Sequence, residues 1–177
     1  MIIERIKAAI RDVPDFPTPG VMFKDITPIL MDPQLCSDVV DEFSKKFSGN
    51  KVDAIVGVES RGFLFGMLLA QKMNVPFITV RKMGKLPYKT ISYEYDLEYG
   101  SSTMEMHTDA LKKGWNVMVH DDLLATGGTA AAAATLIKMQ QANIAGFSFL
   151  IALDFLKGKE KLSHFVKTEN IISLVNF

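Results

Sequence analysis

Residues 116–129 constrain the fold of this chain more than any other segment. They read Asn-Val-Met-Val-His-Asp-Asp-Leu-Leu-Ala-Thr-Gly-Gly-Thr, and an Ala-rich run follows at 130–134. The apolar half predicts a buried strand that closes on two adjacent carboxylates, the glycines predict a tight turn, and the alanines predict a helix. Such a turn brings acceptors for sugar hydroxyls or a metal ion close to the N–H groups of a helix N-terminus, which suit a phosphate. A ligand that carries both ribose and phosphate is therefore the first hypothesis.

Composition limits the partners of the chain and its compartment. Its 177 residues are 48% hydrophobic, which is sufficient for one domain with a sizeable core. Lys+Arg and Asp+Glu number 20 each, so no overall field favours nucleic acid or an anionic membrane. Any phosphate must therefore be bound by local donors. The single cysteine, Cys36, excludes an internal disulfide and fits a reducing compartment. We interpret it as a small buried apolar residue rather than a catalytic thiol, because no neighbouring group would activate it.

The N-terminal segment does not have the pattern of a targeting or membrane-spanning sequence. Residues 1–11 carry four charges, and their isoleucines recur at helical spacing, which predicts a short amphipathic helix rather than a secretory signal. No stretch approaches the roughly 20 apolar residues that cross a bilayer. We therefore expect a cytoplasmic protein that binds neither membranes nor nucleic acid.

The rest of the chain alternates predicted strands and helices. Apolar runs predict strands at 54–58, 77–80, 117–119, 146–153 and 171–175, and apolar spacing and composition predict helices at 33–47, 63–73 and 127–141. Asp32 is the expected N-cap of the first of these helices. Residues 14–20 contain three prolines and predict a stiff, extended connector, and residues 92–105 alternate around Gly100 like a hairpin with one wet face. We expect an α/β fold: a single domain, 1–177, with a mostly parallel central sheet flanked by helices, and ligands beyond the carboxyl ends of the strands.

Several familiar ligand motifs are absent. Gly57 and Gly62 have the glycine spacing of a Walker A loop, but Phe63 and Leu64 stand where Lys and Ser/Thr are required. No G-x-G-x-x-G follows a strand, and no His or Cys cluster has metal-ligand spacing. These observations argue against a dinucleotide fold and a structural zinc.

Residues 120–129 resemble the phosphoribosyl pyrophosphate signature of the type I phosphoribosyltransferase family, in the form of its adenine-using members. Further stretches resemble the same family and occur in its order: 16–28, 59–66, 81–87 and 97–100. The resemblance reaches from about residue 14 to about residue 130, and the last 45 or so residues carry little that is specific. It implies a Mg²⁺-dependent enzyme of purine salvage that joins adenine to phosphoribosyl pyrophosphate, giving AMP and pyrophosphate. It also implies an N-terminal base-binding segment at 1–30 and a flexible catalytic loop at 83–100.

The acid pair and the glycine turn are the expected sites for ribose and phosphate. Our hypothesis is that Asp121 and Asp122 accept hydrogen bonds from the ribose hydroxyls, directly or through Mg²⁺ and its water. A solvated acidic strand end is the alternative. The turn would wrap the 5′-phosphate with N–H groups and two hydroxyls, and its glycines permit close approach; its residues are Ala125, Thr126, Gly127, Gly128 and Thr129. Here the alternative is a plain helix cap.

The resemblance places the pyrophosphate at a second strand end. There it implies a pyrophosphate-binding loop, with Arg61 facing the leaving group as a catalytic residue; the other residues of the loop are Glu59, Ser60 and Gly62. A local cationic cluster could neutralise the same ligand and consists of Arg81, Lys82 and Lys85. For Lys82 the alternative of a solvated loop residue stays open. In the family some of these contacts come from a neighbouring subunit, which implies a homodimer.

The expected catalytic acid lies in the predicted hairpin. By resemblance, Glu98 contacts the imidazole edge of the purine and assists proton movement, for which enclosure would have to raise its proton affinity. The loop would close because an oxocarbenium-like sugar must be shielded from water. On alternation alone, Glu98 is the wet face of a strand, and Tyr99 is similarly ambiguous.

The resemblance assigns the adenine site to the N-terminal segment. Backbone groups near Met22 and Lys24 would read the Watson–Crick edge of adenine, while Phe23 and Leu123 would cover its faces. An oxo group in place of the amine would face a carbonyl and cost about 1–3 kcal/mol. Ala125 stands where hypoxanthine–guanine enzymes usually carry Asp, which also favours adenine. His120 departs from the mostly apolar family pattern, and we expect it either neutral and hydrogen-bonded in the core or facing a helix.

Two other functions remain alternatives at this stage. One is a regulator that senses phosphoribosyl pyrophosphate without catalysis, and the other is a phosphoribosyltransferase for another base, such as xanthine or a pyrimidine. No helix-turn-helix pattern precedes residue 14, the net charge is zero, and Glu98 is present. These features favour the enzyme.

Overall fold

A central sheet organises the fold in this computed structural model, which describes residues 1–97 and 100–177. The described strands are β1 (Arg11–Pro14), β2 (Met22–Asp25), β3 (Ala54–Val58), β4 (Phe77–Lys82), β5 (Thr90–Asp96), β6 (Ser101–His107), β7 (Asn116–Leu124), β8 (Asn143–Ala152) and β9 (Ile171–Asn176). The helices are α1 (Ile2–Ala9), α2 (Thr27–Leu30), α3 (Pro33–Lys46), α4 (Gly62–Met73), α5 (Gly128–Met139) and α6 (Gly158–Leu162). The strands from β3 to β9 form one sheet, and β1 and β2 pair separately.

The order of strands in the sheet brings the two chemically interesting segments to the same edge. The order is β5-β6-β4-β3-β7-β8-β9, in which β4, β3, β7, β8 and β9 run parallel. The hairpin of β5 and β6 joins them antiparallel through β4. Since β3 and β7 are parallel neighbours and Gly57 pairs with His120, the residues that follow β3 lie beside the carboxyl half of β7. The predicted α/β fold with a mostly parallel sheet is confirmed.

Helices cover both faces of the sheet because their apolar residues recur at helical spacing. On one face, α1, α3 and α4 pack through residues such as Phe43, Phe65 and Leu69. The side chain of Asp32 accepts a hydrogen bond from the Leu35 amide at 3.0 Å, which confirms it as the N-cap of α3. On the other face, α5 buries alanines 132–134, whose small side chains let the helix axis approach the sheet closely.

The N-terminal segment folds differently from the prediction. Residues 14–20 were expected to be extended, but they form the turn that joins β1 to β2 as an antiparallel pair. Asp15 has φ 56 and its carboxylate accepts a hydrogen bond from the Gly20 amide at 2.8 Å, so a side chain closes a turn in which prolines cannot donate. Strands β1 and β2 themselves are absent from the sequence-based prediction.

Strand β7 is longer than the predicted 117–119. It continues to Leu124, so Asp121 and Asp122 are strand residues and do not close the strand. The added length is held by β8, which pairs with β7 as far as Leu124 and Ala152. Ladder hydrogen bonds thus carry the strand through two acids that interrupt its apolar pattern. The prediction that the strand ends at the acid pair is wrong.

None of the helices within residues 1–97 and 100–177 is long and apolar enough to cross a membrane.

His120 belongs to the core, which confirms one of its two predicted environments. It is fully buried on β7, with Nδ1 2.8 Å from the Ser148 hydroxyl and its ring edge-to-face with Phe43 at a centroid distance of 5.3 Å. Burial lowers the pKa of His120 to about 3. The imidazole is therefore neutral at physiological pH.

A His120→Gln variant should remove one acid-sensitive part of the stability. In the native protein the depressed pKa of His120 favours folding fully above its unfolded value of 6.5, and this contribution is lost as pH falls from 6.5 towards 3. Urea unfolding at pH 7.5 and pH 5 should show the parent losing about 2 kcal/mol more than the variant. Equal losses in the two proteins would mean that His120 is not kept neutral by the fold.

Candidate active site

A pocket opens at the carboxyl edge of the sheet, where β3 ends beside the acid pair of β7. Its volume is about 410 Å³. It is lined by Glu59, Ser60, Arg61, Lys82, Lys85, Tyr95, Met104, Asp121, Asp122, Leu123 and Thr129. The structure thus brings together residues from several separate parts of the sequence between Glu59 and Thr129, and most of them were predicted as site residues.

The acid pair is buried enough to perturb its ionisation. Asp122 is 3% exposed and Asp121 is half-buried, and the Asp121 carboxylate accepts a hydrogen bond from the Asp122 amide at 2.9 Å. Burial raises the pKa of Asp121, and the charge of Asp122 raises it further. Burial also raises the pKa of Asp122, and Arg61 only partly offsets this. A ligand that brings positive charge or hydroxyl donors would relieve the cost of two neighbouring buried anions.

Arg61 contacts the acid pair in this structure. Its Nε lies 3.0 Å from Asp122 Oδ2, and its guanidinium lies over the ring of Phe23 at 4.8 Å. Neither Arg61 Nη1 nor Asp122 Oδ2 has a hydrogen-bond partner among the described residues, so the pair is an ion pair without good hydrogen-bond alignment. Buried polar atoms in this condition are candidates for contact with a ligand.

A close approach of backbones holds the two strand ends together. A Cβ on Gly62 would lie 2.8 Å from the His120 carbonyl oxygen and 2.9 Å from Asp121 Oδ1. Any larger residue at the start of α4 would push β7 and its acids away. Gly62, at the start of α4, therefore allows the close packing that positions the acid pair.

The glycine turn forms a smaller cavity beside the acids, of about 80 Å³. Its lining includes every residue from Leu123 to Ala130, together with Asp121 and Phe149. Gly127 has φ 81 and is the N-cap of α5, which begins at Gly128. The positive φ favours glycine, and the cavity lies at the N-terminus of a twelve-residue helix, whose first N–H groups have no acceptor within the helix. Such a cavity suits a phosphate.

Glu59 organises the cationic cluster. Its side chain is 7% exposed and accepts hydrogen bonds from Lys85 Nζ at 2.7 Å and from the Lys82 amide at 2.9 Å. Arg81 donates to the same carboxylate through Nε at 3.4 Å and Nη2 at 3.3 Å. Burial alone would raise the pKa of Glu59, but these donors outweigh it and lower the value to about 2. Glu59 is therefore an internal anion, and not itself a ligand for an anion.

The predicted base-binding segment borders the same edge through Phe23. Phe23 packs edge-to-face on Phe16 at 5.1 Å and touches Arg61, while Leu123 lines the pocket. Lys24 points away from the pocket, since its Nζ lies 2.6 Å from Asp12 Oδ1 and 3.7 Å from the centroid of the Phe177 ring. Met22 is 49% exposed and does not line the pocket. Only the backbones of these last two residues are available for the role expected of them.

Two residues with structural roles at the site are missing from the sequence-based prediction. A Cβ on Gly158 would lie 2.3 Å from the Ala125 carbonyl oxygen, and one on Gly127 would lie 2.9 Å from the Gly158 carbonyl oxygen. Tyr95 places its hydroxyl 3.2 Å from Thr129 Oγ1. Gly158 carries no local signal, because its constraint comes from a turn some thirty residues earlier. Tyr95 had the signal of an inward position in the alternating hairpin.

Two predicted residues, Glu98 and Tyr99, lie outside the described residues. The hairpin that flanks them is confirmed, with Thr90 to Asp96 paired antiparallel to Ser101 to His107.

A second, larger groove carries no comparable chemistry. It has a volume of about 600 Å³ and lies between α3 and α4. Its lining is Pro33, Cys36, Ser37, Val40, Asp41, Leu68, Gln71 and Lys72. The pocket at the strand ends, with its perturbed acids and its cations, is therefore the candidate active site.

Comparison with known proteins gives a consistent family. The phosphoribosyl transferase domain model matches residues 29–176. An adenine phosphoribosyltransferase from Cytophaga hutchinsonii is 52% identical over 174 residues, covering 98% of this chain and 95% of the relative. The crystal structure of adenine phosphoribosyltransferase from Thermoanaerobacter pseudethanolicus has a TM-score of 0.94 at 46% identity and 99% coverage of both chains. That of Saccharomyces cerevisiae, complexed with adenine and an imino-altritol bisphosphate, has a TM-score of 0.90 at 41% identity and 98% coverage of both. With this site geometry and these relatives, the chain belongs to the phosphoribosyltransferase family and, within it, to the adenine phosphoribosyltransferases.

Proposed function

We propose that this protein transfers the phosphoribosyl group of phosphoribosyl pyrophosphate to adenine, forming AMP and pyrophosphate. The observation that carries the proposal is the juxtaposition of the glycine turn and the acid pair. The cavity of the turn and the pocket of the strand ends share Asp121, Leu123 and Thr129 in their linings. A single ligand with a phosphate at one end and a diol beside it can therefore occupy both. The yeast relative, crystallised with adenine and a bisphosphate, supports the same pair of ligand types.

In this proposal the turn holds the 5′-phosphate and the acids hold the ribose. The N–H groups at the start of α5 donate to the phosphate, and the hydroxyls of Thr126 and Thr129 add neutral donors. Asp121 and Asp122 accept from the two sugar hydroxyls, which places donors against carboxylates whose burial is otherwise unfavourable. The sugar is thus fixed at both ends, and fixing it contributes to the rate by orientation.

Mg²⁺ fits this site as an ion that the substrate helps to hold. No group of three or more His, Cys, Asp or Glu able to bind a metal occurs within residues 1–97 and 100–177. Two adjacent carboxylates, with one buried oxygen, Asp122 Oδ2, that accepts no hydrogen bond among the described residues, nevertheless suit a hard cation that keeps most of its water. When bound, the ion would neutralise charge on the leaving group.

The leaving pyrophosphate would lie against the loop at 59–62 and the cationic cluster. Arg61 is the nearest cation to the acid pair, and Lys82 and Lys85 line the pocket. We assign Arg61 to the leaving group and the other cations, with Arg81, to electrostatic stabilisation of the departing charge. We also propose a homodimer, in which some of these cations would contact the pyrophosphate bound to the neighbouring subunit.

The base would lie between Phe23 and Leu123, next to the sugar. Aromatic and aliphatic faces suit a planar purine. Backbone groups of Met22 and Lys24 would read its amine edge, and the salt bridge of Lys24 with Asp12 holds that strand against β1. Specificity for adenine would then come from backbone atoms, which side-chain substitutions do not remove.

Glu98 would be the acid that assists proton movement on the purine, with Tyr99 beside it. The assignment rests on the resemblance and on the place of Glu98 in the sequence, where it follows Leu97 and lies between the residues of β5 and those of β6. The subdivision into a base-binding segment at 1–30 and a catalytic loop at 83–100, and a cytoplasmic location, belong to the same proposal.

Each base offered in turn tests the proposal directly. The protein is incubated with Mg²⁺, phosphoribosyl pyrophosphate and adenine, hypoxanthine, guanine, xanthine or a pyrimidine, and pyrophosphate release is measured. We expect release with adenine and formation of AMP. Release with another base alone would overturn the adenine assignment, and release with none would favour the regulator.

Replacing Glu98 by Gln should lower turnover and spare substrate binding. Loss of a general acid typically costs about 10²–10⁴ in rate. We therefore expect kcat to fall by about this factor, while the affinity for phosphoribosyl pyrophosphate changes by less than about threefold. Glu94→Gln is the matched control and should keep the parental kcat, since Glu94 is exposed on β5 and accepts a hydrogen bond from the Ser101 hydroxyl. An unchanged kcat in Glu98→Gln would remove Glu98 from the mechanism.

Gly158→Ala should impair phosphate binding from outside the signature motif. The new Cβ would meet the Ala125 carbonyl oxygen at 2.3 Å and Leu124 Cδ1 at 2.7 Å, so the turn must shift. A misplacement of this kind should raise KM for phosphoribosyl pyrophosphate by about ten- to a hundredfold, with KM for adenine nearly unchanged. Steady-state kinetics of both substrates measure the split.

The control for this variant is Gly49→Ala, because a Cβ at Gly49 meets nothing within 4 Å. It should behave like the parent. Thermal unfolding of Gly158→Ala establishes that the variant is folded at the assay temperature. A folded variant with parental KM for phosphoribosyl pyrophosphate would show that Gly158 does not position the turn.

A further inference from the structure

Tyr95 contacts the phosphate turn from a distant part of the chain. It lies on β5, opposite Ser102 of β6, and its hydroxyl is 3.2 Å from Thr129 Oγ1 in the first turn of α5. Tyr95 is half-buried, whereas Glu94 and Asp96 on either side are exposed. Its ring also approaches Gly128, since a Cβ there would lie 3.7 Å from two ring carbons. The contact therefore joins the hairpin to the glycine turn through both ring and hydroxyl.

The chemistry of the two hydroxyls gives this contact a direction when a phosphate is bound. Each hydroxyl has one proton to donate and lone pairs to accept with. A phosphate dianion only accepts, so Thr129 can serve it only by donating its proton. Its lone pairs then accept the proton of Tyr95. The reverse arrangement, in which Thr129 donates to Tyr95, would withdraw the Thr129 proton from the phosphate.

We infer that Tyr95 is a positioning residue of the 5′-phosphate site, which acts by orienting the Thr129 hydroxyl towards the phosphate. The inference rests on the proposed function. The Tyr95 hydroxyl restricts rotation of the Thr129 hydroxyl before the phosphate binds, so less conformational entropy is lost on binding. Consecutive hydrogen bonds also polarise one another, which strengthens the bond to the phosphate. The other interpretation is that Tyr95 only packs, in which case its ring matters and its hydroxyl does not.

Tyr95→Phe separates these interpretations because it keeps the ring and removes the hydroxyl. Binding of AMP, which carries the monoester, should weaken about three- to tenfold, while binding of pyrophosphate, which does not need the turn, should stay constant. Isothermal titration calorimetry of each ligand measures both. Tyr93→Phe is the matched control, since Tyr93 lies two residues earlier on the same strand and is 37% exposed.

A double-mutant cycle tests whether Tyr95 acts through Thr129. In Thr129→Val, which has the shape of threonine without its hydroxyl, Tyr95→Phe should have no further effect on AMP binding. In Thr129→Ser, which keeps the hydroxyl, the three- to tenfold effect should persist. Thermal unfolding of each variant establishes that it is folded.

Three results would overturn the inference: parental AMP affinity in Tyr95→Phe, an equal loss of pyrophosphate binding, or additive losses in the cycle with Thr129→Val. The proposed function has its own test in turnover of adenine by the parent protein. A parent that forms AMP and a cycle that is additive would thus contradict the role of Tyr95 alone.

Discussion

The electrostatic cost of two adjacent carboxylates within a buried strand is the constraint on which the site depends. Asp121 and Asp122 lie on β7, which is bordered by β3 and β8 and covered by helices on both faces. Burial raises the pKa of both acids, the charge of Asp122 raises that of Asp121 further, and Arg61, which pairs with Asp122 without good hydrogen-bond alignment, offsets this only in part. The pairing of β7 with β3 on one side and with β8 on the other keeps the acids together despite this cost. A ligand that brings hydroxyl donors or a cation would therefore bind favourably, because it supplies the hydrogen bonds or the positive charge that the protein does not provide to these acids.

The cations beside the pocket are likewise held in place by an acid with a buried side chain, Glu59. The chain has no net charge, so the affinity for a polyanionic substrate has to be generated locally. Glu59, with its pKa lowered to about 2, is ionised throughout the physiological range and holds Arg81 and Lys85 close together. One carboxylate against two cations leaves an excess of positive charge beside the pocket, which Lys85 lines. Glu59 therefore raises the density of cations that the fold can tolerate, and it sets their position.

Sequence reasoning succeeded where local patterns and the fold agree. The buried strand at 54–58, the helix capped by Asp32 and the hairpin around Gly100 all follow from spacing and from residue preferences. It failed where a contact distant in sequence decides. The polar pair at 121–122 interrupts an apolar run, so only the pairing of β7 with β8 reveals that the strand continues.

The Pro-rich segment at 14–20 illustrates a second kind of failure. Prolines remove backbone donors, which suggested an extended connector, but the remaining Gly20 N–H donates to the Asp15 carboxylate and thereby closes a turn. Gly158 illustrates a third kind of failure. Its neighbours in the sequence do not indicate that a Cβ at this position would lie 2.3 Å from the Ala125 carbonyl oxygen. The placement of the turn at 125–129 depends on distant segments, since Gly158 lies close to Ala125 and Gly127, and Tyr95 contacts Thr129. A turn in contact with two distant segments cannot shift without moving both, and these contacts limit the conformations open to its five small residues.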